Sequence, residues 1–550
     1  MSIEPPGDLP GPDPTVGPDD SAVGDDESSS PVLRRATRAA VVLTVAGTAG
    51  QVFTLIRELF VASKVGASPD LDALLVAAVA PIMLSSLIAA GTTAAIVPGY
   101  ISSRKEHGVR AAEELLGATI TWTAIICVLA TVLVIAGGQI AVTLGGPGLD
   151  PSAHDLAVGF IPILAPMLAF SAVGGLLAAM FQIHDRMRSI AVAWLSGPLV
   201  SVFITVGLWD QLGLTALAIA MTVQQAAIVI VLAVLAIRMG IFPRLTLRAD
   251  RTESWRFIKH ATPLTISSSV LQLNLLTDRA VATLLAPGAA SALRYAEGVI
   301  RIPLNAIGPA WSAAIYPALV RASHLTETRS LGEAAFSAMR YITAIFVPLS
   351  VATAALAPLI IEVAYARGAF DARASTLTAG ALVGFAPLLF LTLANSVLTG
   401  AHNARRRGVF LMSMGILNAI LNAVFDVGLG LLIGVAGVAL STSLTVGLIQ
   451  FIKAWRLGEM DEAFPLGELI KLSARSLVAS VVVAAPIAVV AWNLPTDTGL
   501  GLAIAELVGL SIAGMVGYIV VGWALRLPEP WYVARALLGA PMRLVRRGAR

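Results

Sequence analysis

Apolar runs of about 20 residues recur along this 550-residue chain, from about residue 39 to residue 525. A helix of that length spans the hydrocarbon core of a bilayer. The runs are rich in Ala, Leu, Val and Gly and show no alternation of apolar and polar residues, which favours helices over a β-barrel. Because 57% of the residues are hydrophobic and only 13% are charged, the sequence predicts an all-α polytopic membrane protein.

The placement of Lys and Arg supports fourteen transmembrane helices with both termini in the cytoplasm. If the spans cross the membrane in alternating directions, every second connection lies on the same side. Most basic residues fall in the connections of one side, such as the segments 104–110, 238–259 and 405–407. An excess of positive charge marks the cytoplasmic side. The predicted spans are 38–64, 71–101, 113–143, 155–183, 188–208, 213–239, 258–286, 289–320, 338–363, 376–400, 408–431, 434–456, 470–492 and 500–525.

The two halves of the chain repeat each other across six spans. Three matched pairs lie 222 residues apart: Arg57 and Arg279, Gly66 and Gly288, and Pro81 and Pro303. Because six is an even number, both copies point the same way, which predicts two lobes related by a pseudo-twofold axis along the membrane normal. The predicted domains are a disordered acidic cytoplasmic tail (1–33), an N-terminal six-helix lobe (34–245), a C-terminal six-helix lobe (246–460), transmembrane helices 13–14 (461–526) and a basic cytoplasmic tail (527–550).

Several classes of site are missing from the sequence. The first 33 residues carry no Lys or Arg, so they do not form a secretory signal peptide. The sequence has no G-x-x-x-x-G-K-[ST] motif, no HExxH motif and no Cys/His metal cluster. We therefore expect a transporter rather than an enzyme, with no cofactor, no metal and no nucleic-acid partner. Its driving force would come from the membrane potential or an ion gradient.

Charged side chains inside apolar spans are the strongest indication of function. An isolated charge at the centre of a span costs roughly 2.5–3.5 kcal/mol on insertion scales, so such residues face a wet cavity or pair with each other. In span eight, Arg294, Glu297 and Arg301 share one helical face through their i, i+3, i+7 spacing. Two interpretations stay open. The structural pairs would be Arg57 with Glu58 or Asp72, Arg279 with Asp278, and Glu297 with Arg301.

In the other interpretation the arginines face an anionic group, and the guanidinium fork suits a phosphate. The predicted substrate-binding residues are then Arg57, Arg279, Arg294 and Arg301. The residues that orient these arginines or take part in ion coupling are Glu58, Asp72, Asp278 and Glu297. Other polar residues, such as Asn418, Asn422 and Asp426 on one face of span eleven, are typical of hydrogen bonds between helices.

Spans two and eight both contain proline and glycine. Proline removes a backbone donor and bends a helix. We predict gating at Pro81 and Gly91 in span two and at Pro303 and Gly308 in span eight. A fixed bend that only shapes the cavity is the alternative.

These residues together resemble the MurJ/MviN family of lipid II flippases, in the superfamily that also contains the multidrug (MATE) exporters. The resemblance covers residues 36 to about 525. It is carried by Arg57-Glu58, Gly66-Ala67, Asp72-Ala73, Pro81, Gly91, Val97-Pro98, Arg279, Tyr295-Ala296-Glu297, Pro303, Gly308, Pro317 and the stretch 418–442.

The resemblance implies two six-helix lobes around a central cavity, with a groove formed by the last two helices. It implies that the substrate is an undecaprenyl-pyrophosphate-linked sugar peptide, and that the cavity arginines hold its pyrophosphate. Other arginine positions of the family are occupied here by Gln51, Ser85, Ser86 and Gly298. Among the cavity arginines Arg57 is retained, and Arg294 and Arg301 lie on neighbouring turns.

The resulting expectation is a flippase in the bacterial plasma membrane. It would move lipid II or a related precursor from the inner to the outer leaflet by alternating access, for cell-wall synthesis. Its partners would be the lipid-linked glycan, membrane lipids and cell-wall synthesis proteins. The alternatives are a non-transporting scaffold in envelope synthesis, and a drug or cation antiporter with unpaired acidic residues in its N-terminal lobe.

Overall fold

The computed structural model describes residues 31–247, 274–324, 329–494 and 499–525, and every regular element within them is a helix. The all-α class is therefore confirmed for this part of the chain. Most of the predicted N-terminal tail, all of the predicted C-terminal tail and the connection 248–273 lie outside the described residues. Residues 42 to 550 belong to one compact unit, and the packing below concerns its described residues.

The first half of the chain contributes helices α1 to α9. Their bounds are Pro31–Val65, Pro69–His107, Val109–Ala136, Gly138–Gly145, Pro151–Leu164, Met167–Ile183, Met187–Gly207, Trp209–Leu212 and Leu214–Arg238. The rest forms α10 to α19. Their bounds are 274–285, Ala289–His324, Arg329–Ala355, Ala357–Tyr365, Ala372–Phe385, Leu388–Ala404, Gly408–Ile433, Val435–Met460, Leu466–Asn493 and Leu500–Ala524.

Twelve stretches of the described chain are long and apolar enough to cross a bilayer. They match twelve of the predicted spans to within eight residues at each end. The largest differences exceed the roughly 2–4 residues expected of boundaries read from a pattern. Of the two remaining predicted spans, the seventh lies partly in 258–273, outside the described ranges. The eighth is α11, a helix of 36 residues that carries charges and is not among the twelve. Fourteen spans therefore stay a prediction.

Local backbone features recur in the two halves at the spacing of the sequence repeat. Span four divides into α5 and α6 at Ala165-Pro166, and span ten divides into α14 and α15 at Ala386-Pro387, because proline has no N–H to continue the helix. Matched positions also share a positive φ angle: Gly66 and Gly288, Asp185 and Arg406, and Gly213 and Gly434. The repeat is thus present in the backbone as well as in the residue types.

Matched aspartates begin matched helices in the two halves. Asp150 accepts the Ala153 N–H at 2.8 Å at the start of α5, and Asp371 accepts the Ala374 N–H at 2.7 Å at the start of α14. An N-cap carboxylate satisfies one of the free donors of the first turn. The same bond from the Ala153 N–H lowers the pKa of the exposed Asp150 carboxyl.

Helix packing follows the same plan in both halves. In the first half, α2 packs on α3, α5 and α6, and α9 packs on α6 and α7. In the second half, α11 packs on α12, α14 and α15, and α17 packs on α15 and α16. The bounds of the two lobes, 34–245 and 246–460, stay a prediction. Helix α18 packs mainly on α12, and α19 packs on α18 and α13.

Candidate functional site

A polar cavity of about 250 Å³ lies between α1, α10, α11 and α13. Five of the eight predicted site charges line it: Glu58, Arg279, Arg294, Glu297 and Arg301. The other lining residues are Gln51, Thr54, Leu55, Tyr295, Gly298, Ile302 and Tyr365. Three arginines against two glutamates leave the lining with an excess of positive charge, which suits an anionic group.

Glu58 is the central group of this cavity, because its carboxylate accepts from two arginines. The Arg57 Nη2 atom lies 3.2 Å from Glu58 Oε1. From the other half of the chain, Arg294 donates through Nε to Glu58 Oε2 at 3.2 Å and through Nη2 to Oε1. A two-pronged arginine–carboxylate pair is directional as well as strong. Glu58 therefore joins α1 to α11 at the cavity wall.

Arg57 lies behind Glu58 and does not line the cavity. Its Nη1 atom donates to Ser201 Oγ at 2.6 Å and to Gln224 Oε1 at 2.9 Å. These partners lie on α7 and α9, and Arg57 is only 6% exposed. The sequence left Glu58 and Asp72 as alternative partners of Arg57, and the pair with Glu58 is the one present. In this conformation Arg57 orients Glu58, and its direct contact with a substrate stays a prediction.

Arg301 presents the most accessible guanidinium of the cavity lining. It pairs with Glu297, with Nη2 to Oε1 at 2.6 Å and Nε to Oε1 at 3.0 Å. Its side chain is nevertheless 63% exposed, compared with 19% for Arg294. An exposed i,i+4 pair contributes only about 0.3–0.5 kcal/mol, so the guanidinium can readily exchange its partner for another anion.

Arg279 and Asp278 do not pair with each other, although the sequence made that pair a candidate. Arg279 Nη1 donates to the Ala290 carbonyl at 2.6 Å, at the start of α11. Asp278 faces the other way, and its Oδ1 atom accepts from Asn422 Nδ2 at 2.9 Å. Successive residues of α10 project in directions about 100° apart, which explains why these neighbours have separate partners.

Asp278 belongs to a buried polar cluster between α10, α16 and α17. The Asn422 Nδ2 atom also donates to Asp426 Oδ2 at 2.7 Å, and Ser441 Oγ donates to Asp426 Oδ1. Asn422 and Asp426 are 1% and 0% exposed. The sequence prediction of interhelical hydrogen bonds is confirmed for these two residues. The Asn422 amide therefore joins two carboxyl groups that belong to different helices.

Asp72 contacts the start of a helix in this conformation, and its orienting role stays a prediction. Its carboxylate accepts the Gly288 N–H at 2.7 Å and the Ser291 N–H at 2.6 Å, and also the Ser291 hydroxyl. The first N–H groups of a helix have no partner within it, and the helix dipole is positive there. Asp72 of α2 thereby holds the N-terminus of α11 across the two halves.

Three glycines bring the turns of the two halves into backbone contact at this same end, which is the predicted outer side. A Cβ atom on Gly66 would lie 2.4 Å from the Ala369 carbonyl oxygen, and one on Gly368 would lie 2.1 Å from that of Ser63. Gly288 is equally close to Ala67. All three glycines have positive φ angles, which other residues rarely adopt. The described conformation is therefore closed at this end.

An aromatic cluster separates the cavity from these turns. The ring centroid of Tyr295 lies 5.0 Å from that of Tyr365 and 5.5 Å from that of Phe370. The Tyr295 hydroxyl donates to the Gly66 carbonyl at 3.3 Å. Gln51 and Gly298, which the resemblance places at family arginine positions, both line the cavity. Sequence reasoning missed Tyr365, because no charge or spacing in the sequence marks it.

The predicted gating residues lie where expected within their helices. Pro81 and Gly91 are inside α2, and Pro303 and Gly308 are inside α11. Both helices continue through these residues. Gly308 has open space where a Cβ atom would be added. Their role in gating stays a prediction, because the structure describes one conformation.

We predict that Asp72→Asn lowers the free energy of unfolding by about 1–3 kcal/mol, because one amide oxygen cannot replace a carboxylate that accepts three donors. The exposed neighbour Asp70 is the matched control, and Asp70→Asn should change stability by less than about 0.5 kcal/mol. Thermal unfolding of the two variants in detergent measures the difference. Equal stability of the two variants would contradict the assigned helix-capping role.

Comparison with known proteins gives one consistent family. The family model described as "Lipid II flippase MurJ" matches residues 61–507. A probable lipid II flippase MurJ of Synechocystis is 26% identical over 462 residues, covering 80% of this chain and 85% of the relative. Its counterparts in Rhizobium tropici and Rhizobium meliloti are 26% and 27% identical, and the matches span 66% and 63% of those relatives.

Solved structures agree with this result at the level of the fold. A structure of lipid II flippase MurJ in an inward closed conformation superposes with a TM-score of 0.73 at 18% identity, covering 88% of this chain and 98% of that one. An inward-facing multidrug resistance MATE transporter gives a TM-score of 0.61 at 14% identity, covering 79% and 98%. The chain therefore belongs to the MurJ lipid II flippase family, a family of membrane transporters rather than enzymes.

Proposed function

We propose that this protein is a flippase for a polyprenyl-pyrophosphate-linked glycan, lipid II or a related precursor of peptidoglycan. It moves the headgroup from the inner to the outer leaflet by alternating access, while the polyprenyl chain stays in the lipid. The observation that carries the proposal is the arginine-lined cavity between the two halves of a chain of this family.

The cavity supports binding of a pyrophosphate through exchange of anions. Glu58 occupies the fork of Arg294 in the described conformation, and Glu297 occupies that of Arg301. A phosphate presents the same pattern of acceptor oxygens and a larger negative charge. Arg301 is the accessible group that meets it first, and Arg294 follows as its fork passes from Glu58 to the substrate.

The membrane potential supplies a direction for this transport. Moving one elementary charge across 100 mV is worth about 2.3 kcal/mol. An inside-negative potential of that size therefore favours outward movement of a headgroup with about two negative charges by roughly 4.6 kcal/mol. In this cycle the backbone contacts between the turns at Gly66, Gly288 and Gly368 separate, and the electrical free energy helps to offset their loss.

The cluster of Asp278, Asn422 and Asp426 gives a second means of driving the cycle. Asp426 is buried and Asp278 is half-buried. Two carboxylates that share one amide repel each other unless a proton or a cation joins them. Asp278 directly precedes Arg279, which lines the cavity and holds the first turn of α11. We therefore assign ion coupling to Asp278, with Asp426 as its partner.

No observation favours the antiporter alternative. It calls for an unpaired acidic residue inside the N-terminal lobe. Within the described range 31–247, the acidic side chains that are not exposed are Glu58 and Asp72. Both accept hydrogen bonds from named partners. A scaffold without transport activity differs from a flippase only in the outcome of a transport assay.

We predict that Arg301→Gln weakens binding of the lipid-linked substrate about 10- to 100-fold, the loss expected for one hydrogen bond between charged groups. Lipid vesicles containing the purified protein and labelled lipid II measure both binding and the leaflet of the label. The matched control is Arg110→Gln, because Arg110 forms an exposed i,i+4 pair with Glu114 outside the cavity. Equal flipping by the two variants would remove Arg301 from the site. No flipping by the unmodified protein would favour the scaffold.

We predict that Asp278→Asn retains substrate binding but loses the response of transport to an imposed proton or sodium gradient. The amide removes one of the two charges that the coupling ion neutralises. Asp210→Asn, at an exposed position in α8, should respond as the unmodified protein does. Transport by Asp278→Asn vesicles that follows both gradients normally would show that this carboxylate does not couple them.

A further inference from the structure

A second cavity, of about 550 Å³, lies on the other side of the C-terminal half, between α18 and helices α12, α14, α15 and α17. We call it the α18 groove. Its lining is apolar except for Ser350, Gln450 and Ser473. Helix α18 contributes one face at helical spacing: Leu466, Leu469, Ile470, Ser473, Ala474 and Leu477. The groove shares no lining residue with the arginine cavity.

The first turns of α18 place charges beside this apolar face. Glu468, Lys471 and Arg475 follow i, i+3, i+7 spacing. Lys471 Nζ pairs with Glu468 Oε1 at 3.0 Å. Arg475 is exposed and has no acidic partner within salt-bridge distance in the described part of the chain. The long apolar remainder of α18 begins just after it. A basic flank next to an apolar face at a membrane boundary is typical of contact with anionic lipid.

A buried cation lies behind the wall of the groove. Lys453 of α17 is 7% exposed, and its Nζ donates to Asn395 Oδ1 at 2.8 Å and to Thr399 Oγ1 at 3.2 Å. Both partners are neutral, and no carboxylate among the described residues lies within salt-bridge distance of this ammonium. Gln450, which lines the groove, donates to the same Asn395 oxygen at 3.0 Å.

The charge near the groove is therefore not balanced. Two other cations of this region have acidic partners, with Arg405 on Asp461 at 2.7 Å and Arg456 on Glu459 at 2.9 Å. Lys453 and Arg475 have no carboxylate partner among the described residues, and they lie on two different helices that line the groove. Charges act over longer distances in an interior of low dielectric constant than in water. An apolar occupant with a negative end would satisfy both the lining and the two cations.

We propose that the α18 groove is a binding site for a phospholipid with an anionic headgroup. An acyl chain fills the groove, and the phosphate lies at Arg475 within the field of Lys453. A neutral lipid would fill the same volume without compensating either cation. The site is separate from the cavity proposed for transport, so it is a structural or regulatory lipid site in addition to the flippase function.

Native mass spectrometry of the purified full-length protein tests this site. The probes are phosphatidylglycerol and phosphatidylcholine with identical acyl chains. We expect a preference for phosphatidylglycerol that falls about fivefold in Arg475→Gln, the effect expected of one basic residue at a membrane surface. Lys453→Met should reduce the same preference, and Ala474→Trp should reduce retention of both lipids by filling the groove. Arg188→Gln, at an exposed arginine of the N-terminal half, is the matched control and should change neither.

Three results would overturn the proposal. Equal retention of phosphatidylglycerol and phosphatidylcholine would show that the protein does not prefer an anionic headgroup. If Arg475→Gln kept the full preference for phosphatidylglycerol, the preference would not arise at this groove. This result would count even if Lys453→Met failed to fold. Displacement of bound phosphatidylglycerol by a polyprenyl phosphate, with the same sensitivity to Ala474→Trp, would assign the groove to the transported lipid instead.

Discussion

The carboxylate of Glu58 holds two arginines from different halves of the chain, and the cavity depends on this interaction. Arg57 comes from the same helix, and Arg294 comes from a helix 236 residues later. Without the carboxylate, two guanidinium groups would face each other in a partly buried site. With it, both arginines are held in place beside the cavity. Glu58 thus offsets part of the positive charge that the arginines bring to this site.

The closed end of the molecule complements this arrangement. Asp72 holds the N-terminus of α11, and glycines at 66, 288 and 368 allow turns of the two halves to meet backbone to backbone. Contacts of this kind are short and few, so a modest change in the relative position of the halves can break them together. Alternating access requires such an element with two arrangements. The aromatic residues Tyr295 and Tyr365 lie between this seal and the charged cavity.

The sequence predicted the parts of the site that lie on one helix. Spacing alone placed Arg294, Glu297 and Arg301 on one face of α11. The repeat of Arg57, Gly66 and Pro81 predicted two lobes of the same plan. Spacing could not show which helices pack together. The bonds of Asp72 with Ser291 and of Arg279 with Ala290 depend on tertiary packing, and so does the presence of Tyr365 in the cavity. For the same reason, spacing did not show that Asp72 contacts the N-terminus of α11.

The central claim is that this cavity carries a phosphate-linked glycan lipid across the membrane. The most direct measurement is to deplete the protein from its native cells and identify the lipid-linked precursors that accumulate on the inner leaflet. The account predicts accumulation of an undecaprenyl-pyrophosphate-linked peptidoglycan precursor, which restored expression of the unmodified protein reverses. Unchanged amounts of every such precursor on the inner leaflet, with the protein fully depleted, would contradict it.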